Sequence, residues 1–222
     1  MKKPKVILII AISLDGRIAL PFGGPSPIGS YKDKNLLDKS LVDIDATLFG
    51  SGTLKAHQST YLRKERNFLK NKKQISNSQP ISIITGNSEK FSNKWKFFNQ
   101  PLKKWLISSS KIIKNSNLNF DKTFIFENSW AETLNILKKE GIHKMALLGG
   151  AKLIYSFIKE DLIDEIKITI CPKIIGGNLT WIPSNNSNEI YKLTNNWDIK
   201  QIKKLSTNEI FVHYKKNAYK IL

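Results

Sequence analysis

Small residues stand at the end of one apolar segment of this 222-residue chain, where a ligand could approach the backbone. Gly149, Gly150 and Ala151 directly follow the apolar residues 144–148 and precede a helical pattern. The N–H groups at the start of a helix favour an anion such as a pyrophosphate. A tight strand-to-helix connection explains the same residues equally well, because the fingerprint G-x-G-x-x-G is not completed.

Three further apolar segments end in glycine, serine or threonine. The residues concerned are Gly50-Ser51-Gly52-Thr53, Thr85-Gly86-Asn87 and Ser108-Ser109-Ser110. The carboxyl ends of parallel strands usually hold ligands in α/β proteins. Together the four strand ends predict one cleft that binds a large polar cofactor through backbone and hydroxyl groups.

Few side chains offer other chemistry. Asp15 lies in Ser13-Leu14-Asp15-Gly16 and is either a functional carboxylate or an ordinary turn residue that caps its own backbone. His57 could titrate near neutrality, although a lone histidine is more often an exposed loop residue. One cysteine and three histidines are too few for a structural zinc cluster, and we expect neither a metal nor a nucleophile.

The elements that must position these residues alternate along the chain. Apolar segments cover 6–12, 46–50, 81–85, 104–108, 123–126, 144–148, 165–170 and 210–213, and most are continuous, as in strands covered on both faces. Helical patterns cover 33–42, 129–140 and 153–158. The alternation predicts βαβ units in an α/β fold with a mostly parallel sheet, and the last 30 residues predict an antiparallel hairpin. We expect loops at 67–79 and 183–189 and a single domain over residues 1–222.

The net charge of +18 raises the question of nucleic-acid binding. Of the 36 basic residues only three are arginines, the usual ligands for bidentate phosphate and base contacts. The charge therefore favours a solvated face that attracts small phosphorylated molecules, and we do not expect nucleic acid as a partner. No segment approaches the ~20 apolar residues of a membrane span, so we expect a soluble cytoplasmic protein.

Three segments in order resemble a known family. They read "ILIIAISLDGRIA", "DIDATLFGSGTLKA" and "LLGGAKLIYSFIKEDLIDEIKITICPKIIGG". They are similar to the reductase that forms the C-terminal half of the bifunctional riboflavin-pathway deaminase-reductase, a relative of dihydrofolate reductase in fold. The deaminase signature, H-x-E followed by P-C-x-x-C, is not found, so we expect the reductase domain only.

The resemblance implies a dihydrofolate-reductase-like central mixed sheet flanked by helices, NADPH as hydride donor and a homodimer. The reaction would open and reduce the ribose of 2,5-diamino-6-ribosylamino-4(3H)-pyrimidinone 5′-phosphate to a ribityl chain. Asp15 would assist catalysis by orienting the substrate or relaying a proton. Cofactor contacts are expected at Ser13, Gly50, Ser51, Gly52, Thr53, Gly86, Ser108, Gly149, Gly150, Ala151, Lys152 and Leu153.

Several substrate residues of the family are replaced in this chain. Leu148 stands where the family has a glutamate, and Leu41 stands where it has a phosphate-binding arginine. The family's D-D-P and W-I-S segments read His57-Gln58-Ser59 and Pro27-Ile28-Gly29. These changes point to a changed substrate. His57, Arg63 and Lys64 could replace the missing arginine, since they follow the Thr53 segment.

Two other functions stay open. One is a reductase of the same fold that acts on a pterin, a folate or another heterocycle, which the replaced substrate residues favour. The other is a binding protein that keeps the nucleotide cleft without catalysis.

Overall fold

The computed structural model describes residues 3–24, 28–64, 79–108, 118–183 and 197–217. Ser109, Ser110, Pro27 and nearly all of the two predicted loops lie outside these ranges. Within them the chain forms β1 (Lys5–Ser13), α1 (Tyr31–Ser40), β2 (Ala46–Gly50), α2 (Ser51–His57), β3 (Ile81–Gly86), α3 (Lys96–Asn99), β4 (Lys104–Ser108), β5 (Lys122–Ile125), α4 (Trp130–Lys139), β6 (Lys144–Gly149), α5 (Ala151–Lys159), β7 (Glu165–Cys171), β8 (Trp197–Lys204) and β9 (Ile210–Lys216).

The chain packs as two compact units. The first comprises Met1–Pro4 and Asp38–Ala146, and the second comprises Lys5–Leu37 and Leu147–Leu222. The chain passes from one unit to the other between Pro4 and Lys5, within helix α1 and within strand β6. The prediction of a single domain stays a prediction.

The first unit contains four parallel strands in the order β5, β4, β3, β2. Strand β4 is buried along its whole length, whereas Lys122 and Thr123 of β5 are exposed. Phenylalanines fill the space beside the strands, with the rings of Phe49 and Phe97 edge to face at 6.2 Å between centroids. Such pairs add stability beyond the area they bury.

Helix α4 follows directly from its sequence. The Ser129 hydroxyl accepts a hydrogen bond from the N–H of Glu132 at 3.2 Å and so caps the first turn. Leu134 and Leu137 are fully buried, and the helix ends before Gly141, whose φ of +91° suits glycine.

The second unit pairs β1 with β7 in parallel, then β7 with β9 and β9 with β8 in antiparallel. Helix α5 buries Ile154 and Phe157 within this unit. The β8–β9 hairpin closes at residues 205–209, where the N–H of Leu205 donates to the Glu209 carbonyl and Asn208 adopts a φ of 62°. The asparagine provides the left-handed conformation that the turn requires.

The expected fold class is confirmed, as a mostly parallel mixed sheet with flanking helices and a C-terminal antiparallel hairpin. The predicted segments 46–50 and 104–108 coincide with β2 and β4. Helix α2 was not predicted. Its seven residues include a glycine, and Leu54 is the residue that it buries, so no apolar periodicity marks it.

Candidate functional site

The first unit gathers part of the predicted cofactor site at the carboxyl ends of its strands. Gly50 pairs with Thr85 on β3, and Gly86 pairs with Ser108 on β4. Gly50 is the N-cap of α2, so Ser51, Gly52 and Thr53 form the first turn of that helix. An atom added to Gly52 would meet no heavy atom within 4 Å. This edge therefore presents backbone and hydroxyl groups to open space.

Gly86 and Ser51 approach each other closely at this edge. Gly86 has a φ of +148°, and a Cβ built on it would lie 2.7 Å from the Cβ of Ser51. Both the backbone angle and the contact exclude larger residues. The glycine that ends β3 is thus required for the first turn of α2 to lie against the strand end.

Ser108 differs from its neighbours, because its side chain is buried at the end of β4. Thr53 is partly exposed, as is Ser51. Solvent therefore reaches the hydroxyl residues Ser51 and Thr53 but not Ser108.

The second unit holds the other predicted phosphate-binding segment. Gly149 ends β6 with a φ of +110°, and the peptide bond between Gly149 and Gly150 is cis. Gly150 is the N-cap of α5, and its carbonyl accepts the N–H groups of Leu153 and Ile154, each at 3.0 Å. Lys152 is exposed and Ala151 is partly exposed, whereas Leu153 is buried. A single cleft that joins this segment to the first unit stays a prediction.

Asp15 is the best-connected residue at the end of β1. One carboxylate oxygen accepts from the Ser13 hydroxyl at 2.5 Å and from the Ile175 N–H at 3.1 Å. The other accepts from the Gly176 N–H at 2.7 Å and lies 3.5 Å from Nε of Arg17. These hydrogen bonds, that of Ser13 first, lower the pKa of Asp15 to about 2. Asp15 is therefore an anion that joins the turn after β1 to the loop after β7.

Ser13 is fully buried, and its hydroxyl is engaged within the same turn. It donates to Asp15 and accepts from the N–H of Arg17 at 2.8 Å. The structure thus gives the Ser13 side chain a local role in shaping the turn, and its contact with a cofactor stays a prediction.

The three residues expected to replace a phosphate-binding arginine have different surroundings. Arg63 is only 4% exposed, and its Nη1 donates to the carbonyls of Leu41 and Val42 at 3.1 and 2.6 Å. The guanidinium thus binds backbone carbonyls just beyond the end of α1. His57 and Lys64 are exposed. Those two side chains can reach a ligand, while Arg63 supports the segment beside Lys64.

A buried polar cluster in the second unit was missed by sequence reasoning. Its centre is Glu209, which is 2% exposed. The carboxylate accepts from the N–H and the hydroxyl of Ser30 at 2.7 and 2.5 Å, and from the Thr207 hydroxyl at 2.8 Å. Although burial raises the pKa of Glu209, these hydrogen bonds lower it overall. Glu209 thereby fixes the start of α1 to the β8–β9 turn.

Asp33 and Cys171 complete this cluster. Burial raises the pKa of Asp33, and the charge of Glu209 adds to the rise, against a hydrogen bond with Thr169 that lowers it. The thiol of Cys171 is fully buried and lies 3.6 Å from Glu209, and burial together with the two carboxylates raises its pKa to about 12. The members lie between positions 30 and 209 without a common spacing, so no local pattern could reveal them.

Two further searches cover only the described residues. In that part of the chain no group of three or more His, Cys, Asp or Glu residues could hold a metal ion. No helix there is long and apolar enough to cross a membrane.

Comparison with known proteins decides the family. The pattern of the RibD C-terminal domain family matches residues 4–211. The chain belongs to that family. This RibD C-terminal domain is 29% identical over 181 residues to the riboflavin biosynthesis protein RibD of Haemophilus influenzae, a match that covers 79% of the chain and 49% of the relative. The chain thus spans about half the length of that relative.

Other relatives of this RibD C-terminal domain are of similar length to it. It is 26% identical over 188 residues to the 2,5-diamino-6-ribosylamino-4(3H)-pyrimidinone 5′-phosphate reductase of Archaeoglobus fulgidus, covering 79% of the chain and 83% of the relative. Among solved structures, the bifunctional deaminase/reductase of Thermotoga maritima aligns with a TM-score of 0.76 at 20% identity over 97% of the chain and 57% of its own. Dihydrofolate reductase of Enterococcus faecalis aligns with a TM-score of 0.54 at 10% identity, over 96% of each chain. These likenesses show the fold.

Proposed function

We propose that this chain is an NADPH-dependent reductase of 2,5-diamino-6-ribosylamino-4(3H)-pyrimidinone 5′-phosphate in riboflavin biosynthesis. The product would carry a ribityl chain in place of the ribose. The observation that carries the proposal is the family match over residues 4–211. The name of the Archaeoglobus relative, a reductase of this substrate, supports the substrate.

Each unit, taken by itself, presents groups that support the proposal of a dinucleotide cofactor. In the first turn of α2, Gly52 faces open space and the hydroxyl residues Ser51 and Thr53 are partly exposed. Gly150, which is partly exposed, and Lys152, which is exposed, offer backbone groups and a positive charge at the start of α5. NADPH supplies the hydride when bound, and such chemistry requires the protein mainly to hold and orient the two reactants.

Asp15 takes an orienting role in this proposal. With its pKa near 2 it is ionised at neutral pH and acts as a hydrogen-bond acceptor. A proton relay would require it to take up a proton, which the hydrogen bonds from Ser13, Ile175 and Gly176 oppose. Of the two roles expected for Asp15, we therefore propose that it orients the substrate through the turn after β1.

Lys64 and His57 are the proposed ligands of the substrate phosphate. Both are exposed, and the N–H of Lys64 donates to Asp38 at 2.8 Å, which fixes the backbone from which the ammonium extends. An ammonium is a common point-charge ligand for phosphate. The Arg63 guanidinium contributes by holding this segment.

Asp33 favours a second candidate function. A partly exposed carboxyl with a raised pKa lies in the first turn of α1. Such a group can share a proton with an amino-substituted heterocycle. This chemistry suits a pterin as well as a pyrimidinone, so a reductase of another aminated heterocycle stays the alternative.

Cytoplasmic location and homodimeric assembly are also proposals, taken from the family resemblance. The net charge of +18 supports attraction of a phosphorylated substrate.

The experiment is turnover by the purified protein with NADPH and either the ribosylaminopyrimidinone phosphate or a dihydropterin. Loss of reduced-nicotinamide absorbance, with a product two hydrogens heavier than the pyrimidinone substrate, supports the proposal. Turnover of the pterin alone favours the second candidate. NADPH binding without oxidation by either compound leaves a binding protein, and failure to bind NADPH overturns both reductase functions.

A matched pair of variants locates the cofactor. Gly52→Asp places a negative charge in the open first turn of α2, and we expect the KM for NADPH to rise at least about tenfold through repulsion of its phosphates. Asn135→Asp adds the same charge to an exposed position of α4 and should leave the KM unchanged. Equal effects of the two substitutions would contradict the placement.

A further inference from the structure

One carboxyl at the start of α1 is held against the sheet of the second unit. Asp33 lies in the first turn of α1, where its N–H donates to the Ser30 hydroxyl at 3.4 Å. Its side chain is partly exposed and accepts a hydrogen bond from Thr169 of β7. Thr169 is only 3% exposed, so this bond lies on the protein side of the carboxyl. Another part of the Asp33 side chain stays open to solvent.

The position of this carboxyl depends on a glycine. A Cβ built on Gly29 would collide with the carboxylate of Asp33 and would lie 2.7 Å from its Cγ. A larger residue at position 29 would therefore push the Asp33 side chain out of place. Gly29 thus leaves the space that the Asp33 carboxyl fills.

The sheet beside the carboxyl is accessible at the neighbouring strand. Ala11 of β1 pairs with Thr169 of β7, so the two side chains lie on the same face of the sheet. Ala11 is partly exposed, and its methyl group takes up little room above the strand. Two residues further on, Ser13 pairs with Cys171, directly before the turn that contains Asp15. A flat ring over Ala11 could thus present one edge to Asp33, at the same end of β1 as Asp15.

The two carboxylates near β7 differ in how fully their oxygens are satisfied. Glu209 accepts two hydrogen bonds from Ser30, and its pKa is lowered. Asp33 accepts the bond from Thr169, and in the described part of the chain no cation forms an ion pair with it. Burial raises the pKa of Asp33, the charge of Glu209 adds to the rise, and the charge of Lys34 is a smaller opposing influence. An ionised Asp33 would therefore gain from further hydrogen-bond donors.

An amino-substituted ring would supply such donors. Two parallel N–H groups match the two oxygens of a carboxylate and form a strong charge-assisted pair. A 2-aminopyrimidin-4-one presents this pair on one edge, as the ring N3–H and the 2-amino group. The corresponding uracil presents one N–H between two carbonyl oxygens, and its 2-carbonyl would repel the carboxylate. Asp33 therefore has the chemistry that distinguishes the two rings.

We propose that Asp33 binds the N3–H and the 2-amino group of the substrate ring, and so selects the 2-aminopyrimidinone over the corresponding uracil. The inference rests on the proposed function and names the side chain that recognises its substrate. A site built around a hydrogen bond rejects the compound that lacks the matching group, because polar groups are then left unpaired. We expect kcat/KM for the 2-amino compound to exceed that for the uracil at least about tenfold.

The experiment compares the ribosylaminopyrimidinone phosphate with the compound that carries oxygen in place of its 2-amino group. NADPH oxidation gives kcat/KM for each. The deciding variant is Asp33→Asn, whose amide can donate to the 2-carbonyl of the uracil and accept from its N3–H. We expect this variant to lower the ratio of the two kcat/KM values at least about tenfold and to leave the KM for NADPH unchanged. Both compounds meet the same protein sample, so partial unfolding lowers both rates and leaves their ratio unchanged.

The matched control is Asp198→Asn. Asp198 is exposed on β8 and accepts a hydrogen bond from Asn217, so its replacement should leave the ratio of the unmodified protein. Equal efficiency of the unmodified protein towards the two compounds, or an unchanged ratio in Asp33→Asn, overturns the proposal.

The proposed reaction is judged by a separate outcome. Absence of NADPH oxidation with both compounds overturns that reaction, and titration calorimetry of the same two compounds then tests Asp33. Tighter binding of the 2-amino compound, lost in Asp33→Asn, supports the role of Asp33 as a binding residue. Equal binding of the two compounds, or binding of neither, overturns it.

Discussion

The carboxylate of Asp15 accepts a hydrogen bond from the backbone N–H of Gly176 at 2.7 Å, 161 positions further along the chain. The Ile175 N–H donates to the same side chain. The pairing of Arg17 with Thr180 joins the two segments a second time. One ionised side chain thus organises both loops at the carboxyl ends of β1 and β7.

Asp15→Asn should loosen this connection. Asparagine keeps the size of the side chain but offers one acceptor oxygen in place of two, so the Gly176 or the Ile175 N–H loses its partner. We expect kcat/KM for the reductase reaction to fall at least about tenfold, because positioning supplies most of the catalysis. Limited proteolysis should cut the segment 172–182 faster.

The control for this substitution is Asp43→Asn. Asp43 is an exposed carboxylate whose partner is Lys144, and exposed ion pairs contribute little to stability. If both variants behave alike, Asp15 has no particular role in holding the loops.

Gly86→Ala should destabilise the first unit. The added Cβ meets Ser51 at 2.7 Å and the backbone angle is unfavourable for alanine, so we expect a loss of about 2 kcal/mol or more. Adding Ser51→Gly should recover part of the loss, since the colliding atom is removed. Gly52→Ala, in open space, should be neutral or slightly stabilising. Denaturant unfolding of the four proteins measures these differences.

Substitutions should distinguish the structural role of Arg63 from the substrate-binding role of Lys64. Arg63→Lys removes the paired contacts to the carbonyls of Leu41 and Val42, and should cost about 1–3 kcal/mol of stability with little change in substrate KM. Lys64→Ala should raise the KM for the phosphorylated substrate and leave stability nearly unchanged. A substrate KM that rises in Arg63→Lys at unchanged stability would place the guanidinium on the phosphate.

Acid should weaken the protein through Glu209. Its folded pKa is below the ordinary value of 4.5, so the unfolded chain binds more protons and stability falls as the pH drops through and below 4.5. Glu209→Gln should be less stable than the unmodified protein at neutral pH, and the difference should shrink in acid. Thermal unfolding at a series of pH values measures the effect, and a constant difference would show that the charge is irrelevant.

Ionisation of Asp33 should lower the stability of the protein, whereas ionisation of Glu209 raises it. Its folded pKa is raised, so ionisation costs stability above the ordinary value of 3.8. Asp33→Asn should therefore stabilise the protein at neutral pH, and the gain should vanish as the pH falls below 3.8. If Asp33 binds the heterocycle, the same variant should lose turnover while it gains stability. A destabilised variant at neutral pH would contradict the assigned pKa direction.

The fold could be predicted because the strands are nearly continuous apolar segments. Residues 46–50 and 104–108 coincide with β2 and β4, and the Ser129–Glu132 pair marks the start of α4. Helix α2 could not be predicted, since its short sequence buries one leucine and contains a glycine.

Only those parts of the candidate site whose residues are close together in the sequence could be predicted. The glycines that end β2, β3 and β6 could be recognised in the sequence, because each stands at the end of an apolar segment. The Glu209 cluster depends on the pairing of β7 with β9, which brings together residues about 40 to 180 positions apart. The burial of Arg63 likewise depends on how residues 58–64 fold back towards α1.

The reactivity of Cys171 can be used to measure local opening of the protein. The chain has a single thiol, and that thiol is buried beside Glu209 with its pKa raised to about 12. Alkylating reagents attack thiolates, so labelling must wait until the junction between α1 and the hairpin turn opens. The rate of labelling would measure how often this junction opens in solution, without any engineered probe.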